Sequence, residues 1–212
     1  MKVVIISGGV PPTYDLLSKE LEGSTYLICA DSGANCVYNY NICPDFIIGD
    51  LDSIDQKTLD YFSERKVSIL RYSPNKDFTD TEIAIDKAIE LGAKEIVLLG
   101  CTGNRIDHTL GNMGMLLKCL KLGIWAIIKD NINTILMTRN NISLKGNKGD
   151  TFSILPYSSD VYDLTITGAK YNLKNLNLEI GSALTVSNEF LNEKVDITFS
   201  EGILLIILPV IL

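Results

Sequence analysis

Up to about residue 130, short uninterrupted apolar runs alternate with stretches of helical spacing. The runs cover residues 3–6, 26–30, 46–48, 67–70, 96–99 and 124–128. Continuous runs of this length, without polar alternation, fit strands covered on both faces. Two intervening stretches carry clear helix signals. Thr79-Asp80-Thr81-Glu82 is a capping box in which the side chains of Thr79 and Glu82 each satisfy the other's free N–H. That helix runs through Ile85, Ala88 and Ile89 and stops at Gly92, a good residue just past a helix end. A second opens near Asp107, places Leu110, Met113, Leu117 and Leu120 along one face, and stops at Gly123. Strand–helix alternation of this kind predicts an α/β fold, a doubly wound, mostly parallel sheet with helices on both faces.

After about residue 132 the texture changes. Asn, Thr, Ser and Gly become common, and period-two alternation appears in Leu164-Thr165-Ile166 and in Val195-Asp196-Ile197-Thr198-Phe199. Turn residues such as Gly146-Asn147-Lys148-Gly149 separate the runs. This half predicts a small antiparallel β-sandwich, which gives two domains, residues 1–130 and 131–212. The apolar stretch at residues 203–212 is half of the roughly twenty residues a membrane helix needs, and a final buried strand is expected there. The opening apolar stretch, ended by Gly8-Gly9, is too short for a signal peptide.

Composition sharpens this picture. A chain of 212 residues that is 46% hydrophobic and 21% charged can bury a real core. Its net charge of −7 argues against non-specific binding to nucleic acid or an anionic membrane, which needs a basic face. An acidic chain can still bind a phosphate ligand if a cation or a few placed Arg and Lys residues neutralise it. Five cysteines without metal or redox spacing imply free thiols and a reducing, cytoplasmic setting.

The candidate chemistry is acidic. Asp31, Asp50, Asp52, Asp80 and Asp107 each follow an apolar run or open a helix. In Gly49-Asp50-Leu51-Asp52-Ser53, a strand continuing past its sheet would point Asp50 and Asp52 the same way. Paired carboxylates at a strand end suit a hard divalent cation, which in turn attracts phosphate. The helix start at Thr79 offers free N–H groups to an anion, with Lys76 alongside. Gly103-Asn104-Arg105-Ile106-Asp107-His108 adds a glycine turn and an arginine able to grip phosphate in two places. His108 on its own reads more as a structural hydrogen-bonder, and there is neither a P-loop nor a dinucleotide fingerprint.

Taken in order, Asp31-Ser32-Gly33, Gly49-Asp50-Leu51-Asp52-Ser53, Lys76-Asp77-Phe78-Thr79-Asp80 and Gly103-Asn104-Arg105-Ile106-Asp107-His108 closely resemble the thiamine pyrophosphokinase (thiamine diphosphokinase) family. Leu173-Lys174-Asn175-Leu176 and the stretch from Gly181 to Phe190 resemble that family's thiamine-binding domain. The resemblance implies an α/β catalytic domain, a β-sandwich and a homodimer with active sites between subunits. It also implies Mg2+-dependent transfer of the ATP diphosphate to the thiamine hydroxyl, releasing AMP. Carried over by position, Asp50, Asp52, Thr79 and Asp80 are catalytic, and Asp31, Asp50, Asp52 and Asp80 hold the metal. Asp31, Gly33, Lys76, Thr79, Arg105, Asp107 and His108 bind ATP, while Tyr171, Ser187 and Asn188 bind thiamine. The chain departs from the family in two places. Tyr171 stands near a tryptophan of animal members, and Ser32 stands where glycine is common.

Three other readings stay open on the residues alone. One is an Asp-x-Asp phosphatase, although Ser53-Ile54 follows here where such enzymes usually carry Gly-Thr. Another is a pyrophosphokinase of a different alcohol, and the third is a non-catalytic nucleotide or vitamin sensor.

Overall fold

The computed structural model describes residues 1–73 and 77–209, and the chain divides into two units, Met1–Asn131 and Ile132–Ile211. The first unit alternates strands and helices. In chain order these are β1 (Lys2–Ile6), α1 (Tyr14–Leu21), β2 (Tyr26–Ala30), α2 (Gly33–Asn39), β3 (Phe46–Gly49), α3 (Gln56–Glu64), β4 (Ser68–Arg71), α4 (Asp80–Glu90), β5 (Glu95–Leu99), α5 (Ile106–Lys121) and β6 (Trp125–Lys129). Every pairing among these strands is parallel, in the order β4-β3-β2-β1-β5-β6. From β1 the chain winds outward to β4, then crosses back to β5 and β6. Right-handed crossovers running in opposite directions place helices on opposite faces, which makes the unit doubly wound.

The central strands are buried as their apolar runs require, with Val3 to Ile6 of β1 and Ile96 to Leu99 of β5 fully inaccessible. The edge strand β4 departs from the expectation of double coverage. Ser68 and Arg71 are exposed and Ile69 and Leu70 only half-buried, because β4 is the edge of this sheet among the described residues. The stripe on α5 is also shifted from the one expected. Asn112, Met113, Leu116 and Cys119 are buried, Leu117 and Leu120 are intermediate, and Leu110 is 65% exposed. The helix rolls so that Asn112 can donate to the Cys101 carbonyl at 2.8 Å, a polar anchor that a count of apolar positions misses.

Glu20 of α1 is the one buried carboxylate of this core among the described residues, held by Lys2 at 3.1 Å and Lys129 at 2.5 Å. Burial alone works to raise its pKa, but hydrogen bonds from Lys129 and Lys2 outweigh it and the net shift is downward. A depressed carboxyl pKa stabilises the fold above the unfolded value and stops doing so as pH falls through the folded one. Glu20→Gln should therefore cost about 2 kcal/mol at neutral pH, between the exposed and fully buried cases because both lysines keep some hydration. In urea unfolding the difference from wild type should shrink as pH drops below the ordinary glutamate value of about 4.3.

The second unit is antiparallel β. It comprises β7 (Asn133–Thr138), β8 (Ile142–Lys145), β9 (Thr151–Pro156), β10 (Val161–Thr167), β11 (Leu173–Leu178), β12 (Asn188–Glu189), β13 (Lys194–Thr198) and β14 (Leu204–Pro209). One sheet has the order β7-β14-β9-β12 and the other β11-β10-β13-β8, a sandwich-like arrangement. Alternation carries the core, with Leu164, Ile166, Val195 and Ile197 buried and Phe152 meeting Phe190 at 5.0 Å between ring centroids. The apolar end of the chain forms β14, which lies between β7 and β9. Among the described residues, no helix is long and apolar enough to cross a membrane.

Candidate functional site

The strand order of the first unit reverses between β1 and β5, where an open α/β sheet leaves a crevice beyond its carboxyl ends. A cavity of about 650 Å³ occupies that position. Its walls come from the residues after β1 (Ser7 to Pro11), after β2 (Asp31, Ser32), at the start of α4 (Thr79, Asp80, Thr81) and after β5 (Gly100 to Arg105), with His108, Thr109 and Asn112 of α5.

Asp50, Asp52 and Asp31 converge beside it. One carboxylate oxygen from each lies within 4.8 Å of the other two. The route to this arrangement differs from the extended strand expected. β3 stops at Gly49, and Leu51 takes a left-handed conformation (φ 69°) with its side chain buried. The chain thus turns between the two aspartates, and the turn rather than strand periodicity brings them together. The Asp52 N–H donates to Asp50 Oδ1 at 3.2 Å, and Ser53 Oγ donates to Asp52 Oδ1 at 2.9 Å. Gly49 itself (φ 155°) is a slot. A Cβ there would lie 3.1 Å from Asp80 Oδ1 and 3.2 Å from the Asp31 Cβ, so this position leaves room between Asp31 and one further acidic side chain, Asp80.

Asp31, like Asp50, is half-buried. Its backbone is left-handed (φ 47°), pinned by its N–H to the Ile48 carbonyl at 2.8 Å, and its Oδ1 is buried without a hydrogen-bond partner. Burial is the main cause of its raised pKa. The Ser32 N–H opposes that shift, and the charges of Asp80 and Asp50 add to it. A carboxylate with one orphaned buried oxygen, converging with two further carboxylates, is a donor set that fits a hard, oxygen-seeking divalent cation.

At the start of α4, Thr79 is extended and its Oγ1 accepts from the Glu82 N–H at 3.2 Å. The other arm of the expected capping box is diverted, because the Glu82 carboxylate takes Lys118 of α5 at 3.2 Å. Asp80 is the first residue of the helix. Thr81 is tied to Ser7 by a buried hydroxyl pair at 2.8 Å, which docks this helix start on the end of β1. Lys76 lies outside the described residues.

Across the cavity, Arg105 and Asp107 face each other in a two-point pair at 3.0 and 2.6 Å, both largely exposed. The hydrogen bond from Arg105 holds the Asp107 carboxyl down at about 2. His108 is exposed and lines the cavity, with Asp107 Oδ2 at 4.0 Å, so it is not a buried structural histidine. Gly33 is buried for a reason of space. A Cβ there would come within 2.1 Å of the Ile6 carbonyl oxygen, and the residue borders a smaller cavity of about 290 Å³. The sequence passed over Ser7, Thr81 and Asn112. Their position in or beside apolar periodicity was the available signal, since a polar residue in a buried stripe must find a partner.

Within the second unit, Tyr171 exposes 60% of its surface, and its backbone is held at both polar atoms by Asn188. The Tyr171 N–H donates to Asn188 Oδ1 at 3.1 Å, and Asn188 Nδ2 donates to the Tyr171 carbonyl at 2.8 Å. Asn188 Oδ1 also accepts from the Glu189 N–H at 2.8 Å. Asn188 is therefore buried and largely committed to presenting the tyrosine, with one amide hydrogen left over. Ser187 is left-handed (φ 59°), and its N–H donates to Ser153 Oγ at 3.0 Å.

The sequence matches two family models, the thiamin pyrophosphokinase catalytic domain over residues 17–128 and the thiamin pyrophosphokinase vitamin B1 binding domain over residues 139–204. It is 33% identical to the thiamine pyrophosphokinase of Bacillus subtilis (strain 168) over 211 residues, 98% of each chain. The fold superposes on the crystal structure of thiamine pyrophosphokinase from Bacillus subtilis with a TM-score of 0.90 at 30% identity, covering all of both chains. Its likeness to the crystal structure of thiamin pyrophosphokinase from Geobacillus thermodenitrificans has a TM-score of 0.86 at 29% identity, over 100% of this chain and 98% of that one. The sequence identity and the fold likeness run along nearly the whole chain, the two domain models cover most of it, and the chain belongs to the thiamine pyrophosphokinase family.

Proposed function

We propose that this chain transfers the terminal diphosphate of ATP to the hydroxyl of thiamine, giving thiamine diphosphate and AMP. The observation that carries the reading is the convergence of Asp31, Asp50 and Asp52 beside the switch-point cavity, which Asp31 itself lines, in a thiamine pyrophosphokinase family member. In the reaction the thiamine oxygen bonds to the β-phosphorus while the bond from that phosphorus to the bridging α,β-oxygen breaks, and the bridging oxygen leaves with AMP. Such a transfer asks the protein mainly for alignment and charge neutralisation.

The first unit is the ATP-binding and catalytic domain in this reading. Asp31, Asp50, Asp52 and Asp80 hold Mg2+, which when bound neutralises phosphate charge and acts as a Lewis acid. Thr79 and the first turn of α4 receive phosphate oxygens. Arg105, kept in place by Asp107, grips phosphate from the opposite wall with His108 beside it, and Lys76 and Gly33 complete the nucleotide set. Asp52 or Asp80 accepts the hydroxyl proton. The second unit is the vitamin domain, where Tyr171 offers a ring face and Ser187 and Asn188 offer polar contacts. The assembly is a homodimer with active sites at the subunit interface, in a cytoplasmic setting, without nucleic acid or membrane as partner.

The deciding experiment incubates the protein with MgATP and thiamine and follows AMP and thiamine diphosphate by mass. Thiamine-dependent AMP supports the reading. Inorganic phosphate released from simple esters without AMP supports a phosphatase, and tight thiamine binding without turnover at any Mg2+ concentration supports a sensor. Tyr171→Ala should raise the KM for thiamine about tenfold while changing that for ATP little, since it removes an aromatic face of about 1 kcal/mol or more. Equal effects on both substrates in steady-state kinetics would remove Tyr171 from the vitamin site.

A further inference from the structure

We infer that Asn35 is a positioning residue for the acidic cluster: its carboxamide ties the loop that carries Asp50 and Asp52 to the helix start that follows Asp31. The inference rests on the metal-dependent reading above and extends it to a side chain outside the cluster. Asn35 lies in the first turn of α2, and its own N–H bonds the Ser32 carbonyl at 3.0 Å, so its backbone is fixed relative to Asp31. From there the side chain spans to the far loop. Its Oδ1 accepts from the Asp55 N–H at 3.1 Å, and its Nδ2 donates to the Ser53 carbonyl at the longer distance of 3.4 Å.

The loop needs such a clamp. Three carboxylates whose oxygens lie within 4.8 Å repel one another, and that repulsion drives an exposed loop outward when no cation is present. Buried Leu51 and Ile54 anchor the loop from below, while Asp52 projects into solvent. A neutral carboxamide bonded to the backbone on both sides of Ile54 resists the spreading without adding charge. A carboxylate at 35 would accept from Asp55 equally well, but it would add a further negative charge and lose the bond to Ser53. Asparagine supplies both bonds at no electrostatic cost. The cation site is thereby held in shape before the cation arrives, as outer-shell partners do for metal ligands.

The test compares wild type, Asn35→Ala and Asp52→Asn by Mn2+ binding, read from the EPR signal of free Mn2+ without nucleotide. Asn35→Ala should weaken Mn2+ binding on the order of tenfold, the usual scale for losing an outer-shell partner. Its Mg2+ activation midpoint should rise in step, with turnover recovering at saturating Mg2+ and the KM for thiamine unmoved. An Asn35→Ala affinity equal to wild type, while Asp52→Asn loses Mn2+, overturns the positioning role and leaves the metal reading standing. Failure of wild type itself to bind Mn2+ overturns both. Should Asn35→Ala not fold, hydrogen exchange of the metal-free wild type decides. A protected Asp55 amide upholds the clamp, and exchange at the rate of an open loop refutes it.

Discussion

Asp52→Asn should lower the rate of thiamine diphosphate formation on the order of a thousandfold, about 4 kcal/mol of transition-state stabilisation, while leaving the fold intact. The two halves of that expectation have separate physical grounds. Asp52 is exposed, and its contacts are local: its N–H to Asp50 and the Ser53 hydroxyl on its Oδ1. An amide oxygen can still accept from Ser53, so the turn survives and the melting temperature should stay within about 2 °C of wild type. What the substitution removes is one unit of negative charge from a three-carboxylate donor set. The reaction concentrates charge on the bridging oxygens, so the loss falls on the transition state more than on ATP binding. Measured kcat should therefore collapse while the KM for ATP changes little. A near-normal rate would remove Asp52 from the metal site, and the acidic cluster would then need another explanation.

Gly33→Ala should be among the most damaging single methyl additions in the first unit. A Cβ at this position would meet the Ile6 carbonyl oxygen at 2.1 Å and the carbonyl carbon at 2.8 Å, both backbone atoms of β1 that cannot rotate aside. Either α2 shifts off the sheet or β1 bends, and the cost should be about 3 kcal/mol or more, at the upper end for overpacking. Against a total stability of roughly 5–15 kcal/mol this is a large fraction, and the melting temperature should fall by about 6–12 °C. The displacement also carries Asp31 and Asn35 with it, so activity should fall even at temperatures where the variant is folded. Wild-type stability and activity together would show that α2 does not approach β1 this closely.

Much of the fold was legible because burial imposes period and continuity. The runs at residues 3–6 and 96–99 cannot be solvated, and they became the two strands flanking the switch point. Gly92 and Gly123 marked helix ends because the chain must there adopt positive φ, which it does at 90° and 71°. Double coverage failed for β4 because a strand's place at the edge of a sheet is decided by pairing, which a run of Ile and Leu does not encode. The α5 stripe failed because Asn112 found a carbonyl partner 11 residues away in sequence, and one satisfied polar group rolled the helix away from its Leu110 face.

For the candidate site, the aspartates were recognisable one by one, and their order along the chain pointed to a family. Their convergence was not derivable from strand period, because a left-handed Leu51 and the slot at Gly49 do the joining. Asn188 illustrates the same limit. The family resemblance marked it as a contact for the vitamin, and the structure spends three of its side-chain hydrogen-bonding positions on the backbones of Tyr171 and Glu189.

By itself, then, the sequence determined which segments must be hidden from water, where the chain must turn, and which acidic residues were candidates for phosphate chemistry. These properties follow from side-chain solvation and local backbone sterics, which act within a few residues. Only the tertiary structure decided that Asp31, Asp50 and Asp52 share one small volume, that Asn35 spans from α2 to their loop, and that Glu20 is sandwiched between two lysines. Asp50 and Asp52 aside, those pairings join residues 18 or more positions apart, and their geometry is fixed by how strands stack beside one another rather than by any local preference of the chain.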